Sequence, residues 1–578
     1  MLETTLSAEC VPGTNLREGL KCADWRYLLP GQDYERALCI GVPSRSALRA
    51  LSTIARRVSV VGRDREALQT MAEGLHDECS DGIDIRAVET WRGLPVGAAC
   101  VGLVYLTGAR GGVEHLREAT VRSEIIRVLK PGGVVYVEIG GWRERVTSRD
   151  CLTAFLRQGF QVRGSFWLTP LAGDLRTAVP LNDDEATSYF FKNVIYGRSR
   201  GKRILGRIGA LMSRASIISR LAPRRAMVLE RSGGGAAVEG VPVSECPEYL
   251  QAIAAEAGIN VGDYTYALSA RGRYNSNKVV FFLFSRRSRA LEVVIKMTRS
   301  PEFNHRLENE YQVLARLGMD GYVDQASFPE PLFLGHHKGL ALVALKAIHG
   351  RPFRTQTRAT PDCPLARGAI EWITQLGTAS ATRTAASSAD VGDVLRRMFD
   401  SFRNIYDLRA EEEEFLAEQV DVLSRSGAVI PLVCQHGDPG TWNILVSGDG
   451  NRITMIDWEA GELEGMPLWD LLYFFRTYAS WVSRQQGRGS GRSAFGDVPM
   501  STELHSVLVD VVERYRAGVR LDRRLIKPLF YACWMHRALK EAARLTETSL
   551  QDGRYLGMLR MCIEQRNAPV LRALWQEK

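Results

Sequence analysis

The stretch Gln435-His-Gly-Asp-Pro-Gly-Thr-Trp-Asn-Ile-Leu-Val446, followed by Ile453-Thr-Met-Ile-Asp-Trp-Glu459, decides how the second half of the chain folds. The apolar runs after Asn443 and from Ile453 flank Ser447-Gly-Asp-Gly-Asn451, and this pattern predicts a β-hairpin. Residues just outside the two strands of a hairpin lie next to each other. We therefore expect Asn443 and Asp457 to lie side by side at one end of a cleft.

The polar residues of this stretch suit phosphoryl transfer from a nucleotide. That reaction needs a carboxylate near the acceptor hydroxyl, and oxygen ligands that hold magnesium against the phosphates. Asp438 can supply the carboxylate, whereas Asn443 and Asp457 can supply the oxygen ligands. Ordinary turn residues around a hairpin would explain each of them singly, but they would not explain the order and spacing of the whole set.

H-G-D-x-x-x-x-N, a short hairpin and I-D-W-E together resemble the aminoglycoside phosphotransferase and choline kinase superfamily. The segment Gly465-Met-Pro-Leu-Trp-Asp-Leu471 resembles the P-x-x-D-L tail of that family. The resemblance implies a two-lobed, protein-kinase-like fold in which Asp438 is the catalytic base and Asn443 and Asp457 bind Mg²⁺. It also implies that His436 and Asp470 order the loop.

Motifs upstream of the hairpin are similar to those that hold a nucleotide in kinases. Val293-Val-Ile-Lys296 ends a β-branched strand, as V-A-I-K does in kinases, and Lys296 would bridge the phosphates. In the helical segment 307–317, Glu310 fits as the partner of Lys296, and Glu308 is a rival on another face. The phosphate-covering loop would be 269–277, with Gly272 as its one glycine.

The hinge between the lobes is expected after the strand-like run Leu340–Leu345. Adenine would hydrogen-bond to the main chain near Ala344, and Gly350-Arg-Pro352 resembles the step into the helical lobe. Main-chain recognition does not separate ATP from GTP, so ATP is the expected nucleotide and GTP the alternative.

The sequence says little about the acceptor. The helices expected to form its site carry a mixed set of side chains: Trp534, His536, Arg537, Glu541 and Glu547. A polycationic aminoglycoside would call for an acidic cleft, which this set does not indicate. A sugar, a glycan or a lipid-linked sugar fits at least as well.

The first half resembles the class I SAM-dependent methyltransferases, which have a Rossmann-like fold. Arg127-Val-Leu-Lys-Pro-Gly-Gly-Val-Val-Tyr-Val-Glu138 is similar to the helix, turn and fifth strand of that family. Val58-Ser-Val-Val-Gly-Arg-Asp64 is similar to its second strand, with Asp64 placed to hold the ribose of SAM about 20 residues after Gly41. The resemblance implies SAM as a cofactor that Gly41 and Asp64 contact.

The first turn of this half departs from the family pattern. In Leu38-Cys-Ile-Gly-Val-Pro-Ser-Arg45, Gly41 remains, but Pro43 and Arg45 stand where glycines are expected, and Cys39 stands where an acid is expected. Proline removes an amide donor and fixes φ. A methyltransferase and a non-catalytic domain therefore both stay open.

The composition indicates a globular protein of several domains. The chain has 578 residues, which is too many for one hydrophobic core. Of these residues, 45% are hydrophobic and 24% are charged, as is usual for globular proteins. Its 11 cysteines form no C-x-x-C pair, so we expect no structural zinc site and a reducing, cytoplasmic location. We find no signal-peptide or membrane-spanning pattern.

The predicted domain organisation has a glycine-rich boundary in its middle. The predicted segments are an N-terminal extension (1–29), a methyltransferase-like domain (30–232) with an insertion at about 180–224, a linker (233–245), a kinase-like N-lobe (246–350) and a helical C-lobe (351–578).

The insertion contains the basic segment Arg198–Arg225, which has nine basic residues and no acidic one. Its apolar residues recur at helical spacing, so the segment could lie on an anionic membrane at the inner face or cover the substrate side of the domain. We expect no nucleic-acid partner, and the oligomeric state stays open.

Together these observations predict an ATP-dependent phosphotransferase fused to a methyltransferase-like domain. One alternative is an antibiotic-inactivating kinase of the aminoglycoside type. The other is a regulatory or scaffolding protein with a non-catalytic methyltransferase-like domain.

Overall fold

We analysed a computed structural model that divides into two compact units. The first unit consists of residues up to Asn304 together with Phe333–Ala347, and the second of His305–Leu332 and the chain from Ile348 on. The structure describes residues 24–73, 82–106, 116, 118–140, 152–170, 175–195, 206, 208–211, 222–232, 244–270, 277–381, 384–485 and 502–576.

One sheet organises the described part of the first unit. Its order is β12-β13-β11-β10-β9-β7-β6-β8-β5-β4-β1-β2-β3. The strands are β1 (Tyr34–Ile40), β2 (Ala55–Gly62), β3 (Ile83–Ala87), β4 (Val101–Leu106), β5 (Leu129–Gly140), β6 (Phe160–Thr169), β7 (Thr177–Pro180), β8 (Arg224–Arg231), β9 (Tyr264–Ser269), β10 (Lys278–Ser285), β11 (Leu291–Thr298), β12 (Pro331–His337) and β13 (Leu340–Lys346). Its helices are α1 (Arg45–Ile54), α2 (Arg65–Glu73), α3 (Ala119–Val128), α4 (Asp184–Tyr189), α5 (Glu248–Glu256) and α6 (Asn304–Asp320), which continues into the second unit.

The strand order of the first half confirms the predicted Rossmann-like methyltransferase fold. Strands β3, β2, β1, β4 and β5 run parallel, β8 is antiparallel to β5, and β6 is antiparallel to β8. Every residue of β4 is buried, as expected of a central parallel strand that helices cover on both faces.

The same sheet continues into the strands of the second half. Strand β7 pairs with β9 through Thr177 opposite Ser269 and Ala178 opposite Leu268. Strands β10, β11 and β13 follow in antiparallel order and contain the three strand-like runs that the sequence predicts after residue 245. Hydrogen bonds therefore join the methyltransferase-like sheet to the small kinase-like sheet without a break.

The segment Asp24–Leu28, a buried 3-10 helix, ties the two parts of this sheet together. Both carboxylate oxygens of Asp24 accept hydrogen bonds from Arg299, at 2.8 Å each, and the two side chains are 1% and 4% exposed. The Trp25 ring packs against Tyr105 and Tyr136 on the other side. Residues 24–28 therefore contact both β4–β5 and the end of β11.

The second unit is mainly helical, in agreement with the predicted kinase-like C-lobe. Its helices after α6 are α7 (Phe353–Gln356), α8 (Pro364–Ala381), α9 (Ser388–Ile405), α10 (Ala410–Ser424), α11 (Trp469–Gln485), α12 (Thr502–Val519), α13 (Ile526–Ala542), α14 (Arg554–Glu564) and α15 (Pro569–Arg572). Its strands are β14 (Arg351–Pro352), β15 (Ala385–Ser387), β16 (Val429–Pro431), β17 (Val433–Gln435), β18 (Ile444–Val446), β19 (Ile453–Met455) and β20 (Glu462–Gly465).

The predicted hairpin is present as β18 and β19, with Ile444 opposite Met455 and Val446 opposite Ile453. Strand β14 adds to it, and a Cβ at Gly350 would lie 2.9 Å from the Cβ of Leu445. The glycine of Gly350-Arg-Pro352 thus lets the chain pass close to the hairpin.

Some predictions lie outside the described residues. These are the loop glycine Gly272, most of the 233–245 linker and most of the basic segment Arg198–Arg225. Among the helices that the structure describes, none is both long and apolar enough to cross a membrane.

Candidate active site

The loop after β17 is held by a buried carboxylate from α11. Asp470 accepts hydrogen bonds from the main-chain N–H of His436 at 2.5 Å and of Gly437 at 3.0 Å. Gly437 has a φ of +75°, and a Cβ there would overlap the carbonyl oxygen of Ala460 at 1.8 Å. Burial raises the pKa of Asp470, while His436, Arg537 and the two N–H bonds oppose that rise. The backbone path of the loop is therefore fixed by a glycine and an aspartate.

His436 is buried below the loop. Its Nε2 lies 3.0 Å from the carbonyl oxygen of Ile456, and its Nδ1 accepts the N–H of Asp438 at 3.2 Å. Because Nδ1 accepts, Nε2 carries the proton and donates to Ile456. The ring also packs on Trp458, with 4.6 Å between the centroids. Both ring nitrogens are thus engaged in positioning the loop against the hairpin.

Asp438 and Asn443 lie together at the surface of this loop. Asn443 Nδ2 donates to the carbonyl oxygen of Asp438 at 2.9 Å and to its Oδ2 at 3.2 Å. Asp438 Oδ1 has no hydrogen-bond partner among the described residues, although the side chain is 35% exposed. Oδ1 itself is buried, so it is a carboxylate oxygen that is shielded from solvent and has no hydrogen-bond partner among the described residues.

Arg537, on α13, lies directly behind Asp438. Its Nη2 donates to the carbonyl oxygen of Gly437 at 2.8 Å, its Nη1 is 4.0 Å from Asp438 Oδ1, and its guanidinium lies 3.5 Å from the centre of the Tyr473 ring. Burial opposes the charge of Arg537, but Tyr473 and Asp438 keep its pKa raised. The sequence placed Arg537 on an acceptor-side helix without indicating this contact, because it is about 100 residues from the loop.

A group of carboxylates lies at the end of the hairpin. Oxygens of Glu310, Asp457 and Glu459 all lie within 4.8 Å of one another. Glu310 Oε1 accepts the N–H of Trp458 at 3.1 Å, and Asn309 Nδ2 donates to the carbonyl oxygens of Glu459 and Gly461 at 3.2 and 2.9 Å. Helix α6 therefore holds the I-D-W-E segment in place.

This group fits a magnesium ion, since Mg²⁺ prefers hard oxygen ligands. Asn443 belongs to the same corner, because its carbonyl oxygen accepts the N–H of Ile456, the residue before Asp457. Glu459 was not predicted as a ligand. The position of Glu459 two residues after Asp457 was the sequence signal that could have indicated a ligand. Its proximity to Glu310 is seen only in the structure.

The predicted nucleotide contacts are divided between the units. Lys296 lies buried on β11, opposite Val343, and Ala344 lies opposite Ile295 on the neighbouring strand. Both belong to the first unit, whereas Glu310, predicted to pair with Lys296, belongs to the second and groups with Asp457.

In the methyltransferase-like part, Gly41 and Asp64 lie at the ends of adjacent strands. Gly41 has a φ of +103°, and its N–H donates to the carbonyl oxygen of Val61. Asp64 Oδ1 caps α2 by accepting the N–H of Ala67 at 2.9 Å, and Ser44 caps α1 in the same way. The side chains after β1 and β2 are therefore used for local structure.

The described residues at this edge do not fit SAM well. Pro43 offers no amide, and the carboxylate expected to hold the ribose already caps a helix. The Arg63 guanidinium lies 5.5 Å from the centre of the Trp91 ring and pairs with Glu118 at 3.3 Å. These contacts engage the Arg63 side chain with the protein itself.

Comparison with known family models agrees with the phosphotransferase resemblance. Residues 269–501 match the model of the phosphotransferase enzyme family. This match confirms the resemblance of the second half to phosphotransferases and supports a kinase-type enzyme. No curated protein matches the chain.

Several solved structures share low overall similarity with the chain. WbdD is 12% identical and covers 97% of this chain and 91% of its own, with a TM-score of 0.21. The [4+2]-cyclase SpnF is 13% identical and covers 38% of this chain and 81% of its own, with a TM-score of 0.22. A putative sarcosine dimethylglycine methyltransferase from Galdieria sulphuraria is 13% identical and covers 38% and 85%, with a TM-score of 0.21. At these scores the likenesses carry no argument about function.

Proposed function

We propose that the chain is an ATP-dependent phosphotransferase that acts on a hydroxyl group of a sugar, glycan or lipid-linked sugar. The observation that carries this proposal is the catalytic loop, where Asn443 holds the partly exposed carboxylate of Asp438, and where Asp438 Oδ1 is buried without a hydrogen-bond partner among the described residues. The carboxylates of Asp457, Glu459 and Glu310 gather in the same unit. A carboxylate for the acceptor hydroxyl and a group of magnesium-type ligands are the parts that phosphoryl transfer requires.

Asp438 acts as the general base in this proposal. Its carboxylate accepts the proton of the acceptor hydroxyl, while Asn443 Nδ2 donates to Oδ2 and fixes the direction of the side chain. Such a base contributes on the order of 10²–10⁴ in rate.

Asn443, Asp457 and Glu459 are the residues that would hold magnesium. The metal supplies charge neutralisation for the transferred phosphoryl group. Lys296 and the main chain near Ala344 are proposed as nucleotide contacts, with ATP as donor and GTP as the alternative.

For the methyltransferase-like domain we propose a non-catalytic role. The proposal rests on Pro43, on the capping positions of Ser44 and Asp64, and on the packing of Arg63 against Trp91. These side chains are engaged with the protein at the edge where related folds bind SAM.

The test is ATP turnover by the full chain with Mg²⁺ against sugars, nucleotide-sugars and aminoglycosides. We expect acceptor-dependent ADP release with at least one sugar, and a loss of about 10²-fold or more with Asp438→Asn. Asp449→Asn is the matched control, because Asp449 is an exposed carboxylate on the turn of the same hairpin. Equal turnover of Asp438→Asn and wild type would contradict the proposal.

A further inference from the structure

An exposed tryptophan stands beside the catalytic carboxylate. Trp442 lies between Thr441 and Asn443 in the catalytic loop, and its side chain is 41% exposed. A Cβ at Gly440 would lie 2.4 Å from the indole, so this glycine allows the ring to fold back over the loop. What distinguishes this ring from the other exposed hydrophobic side chains is its place in the catalytic loop, one residue from Asn443.

The indole is held in place from two sides. The edge of the Tyr473 ring packs against it, with 6.3 Å between the centroids at 87°, and the Arg354 guanidinium lies 5.5 Å from the ring centre. Arg354 Nε donates to Thr441 Oγ1 at 2.7 Å, which ties α7 to the loop. Tyr473 Oη in turn lies 3.3 Å from Tyr555 Oη. We call Trp442, Tyr473 and Tyr555 the aromatic wall.

The aromatic wall and its charges define a class of acceptor. A rigid indole next to a hydroxyl-accepting carboxylate suits a pyranose ring, whose C–H face packs on an aromatic face while its hydroxyls point to polar groups. Arg354 lies over the indole, so a polycation that packs on this wall would meet a positive charge. The charge pattern therefore favours a neutral or anionic sugar over an aminoglycoside.

We infer that Trp442 is the stacking platform for the acceptor and that Arg354 selects against cationic sugars. The inference rests on the proposed phosphotransferase function and narrows its acceptor to neutral or acidic pyranosides. Tyr473 is a positioning residue in this arrangement, because it orients both the indole and Arg537.

Direct binding to the full chain with Mg·ADP tests the inference without requiring turnover. The probes are methyl α-D-mannopyranoside, methyl α-D-glucopyranoside, methyl glucuronide and kanamycin, followed by saturation-transfer NMR and calorimetry. We expect at least one pyranoside to bind, with saturation transferred to its ring C–H protons, and kanamycin to bind at least tenfold more weakly. Kanamycin binding as tight as any pyranoside, or no pyranoside binding, overturns the inference.

Variants separate the two residues. Trp442→Ala is expected to raise the acceptor Kd on the order of tenfold, and Trp442→Phe to raise it less, because a smaller aromatic face remains. Arg354→Glu is expected to improve kanamycin binding, Arg354→Met to give an intermediate value, and the exposed control Arg425→Glu to change neither ligand. An unchanged Kd in Trp442→Ala contradicts the platform, and unchanged kanamycin binding in Arg354→Glu contradicts the selection.

The outcomes distinguish this inference from the proposed function. If wild type turns over an acceptor and Asp438→Asn does not, but Trp442→Ala keeps the wild-type acceptor Kd, only the inference fails. If pyranosides bind through Trp442 but ATP is never consumed, the phosphotransferase proposal fails.

Discussion

The catalytic loop of the second unit and the first turn of the methyltransferase-like part have similar backbone structures, but their polar side chains serve different purposes. Each follows a buried strand and contains a glycine with positive φ, Gly437 at +75° and Gly41 at +103°. At the loop, Asp470 and the buried His436 hold the backbone, and Asp438 Oδ1 makes no hydrogen bond among the described residues. At the turn, the polar side chains cap helices. Polar side chains that make no hydrogen bond within the local structure therefore distinguish a candidate nucleotide site from a purely structural turn.

The largest expected effect of a single change is at the hairpin end of the catalytic site. Asp457 has a φ of +74°, so Asp457→Asn tests the charge with a residue that tolerates this conformation. We expect kcat to fall on the order of 10³-fold, because a metal ligand loses its charge, and the Mg²⁺ dependence to move to higher concentration. The measurement is turnover across a magnesium series, with Asp449→Asn as control. An unchanged magnesium dependence in Asp457→Asn would contradict the role of Asp457 as a metal ligand.

The two glycines test the comparison directly. Gly437→Ala places a Cβ 1.8 Å from the carbonyl oxygen of Ala460, whereas Gly41→Ala meets nothing within 4 Å. We expect Gly41→Ala to cost only backbone strain, about 1–2 kcal/mol of unfolding free energy. Gly437→Ala should cost more than that and should also lower turnover, by less than Asp457→Asn does, since the loop must move. Denaturant unfolding and ATP turnover of both variants provide the measurements. Equal losses in the two variants would show that the loop is not held more tightly than the turn.

Asp470→Asn is expected to weaken the support of the loop. An amide presents one oxygen where Asp470 presents two, so one of the N–H groups of His436 and Gly437 loses its acceptor. An unsatisfied buried group of this kind costs about 1–3 kcal/mol. The free energy of unfolding checks this, and Asp421→Asn, an exposed partner of Arg425, is the matched control. A variant as stable as the control would show that the loop does not depend on Asp470.

The smallest expected effect concerns SAM. A ligand with a Kd of about 10 µM would stabilise its domain by about 2.7 kcal/mol at 1 mM. We expect no calorimetric heat and no stabilisation from SAM at that concentration, because the side chains at Gly41–Arg45 and Asp64 serve the protein itself. Mg·ADP on the same sample is the positive control. Saturable SAM binding would show that this half is a working methyltransferase fold.

Local patterns predicted those features that depend on neighbouring residues. The hairpin at Asn443–Asp457 follows from two apolar runs and a glycine-rich turn, and the central strands follow from β-branched runs. Features that depend on distant residues were not predictable. Arg537 reaches Gly437 across 100 positions and Arg299 reaches Asp24 across 275, and no local pattern marks either.

The position of Asp64 shows a second limit. Its spacing from Gly41 is that of a ribose-binding acid, yet the same residue type in the same place also caps a helix, and the structure gives it the second use. Sequence spacing therefore locates a carboxylate without saying what it will bind.

Because β7 pairs with β9, each half of the chain depends on the other half for its folding. Cutting the chain within 233–245 would turn both strands into open sheet edges, which favour aggregation, and would separate Arg299 from the buried Asp24. We expect neither half to be exchangeable as a self-standing module. The kinase-like half needs the methyltransferase-like half in order to fold. We therefore expect the methyltransferase-like half to be retained even when it has no catalytic activity of its own.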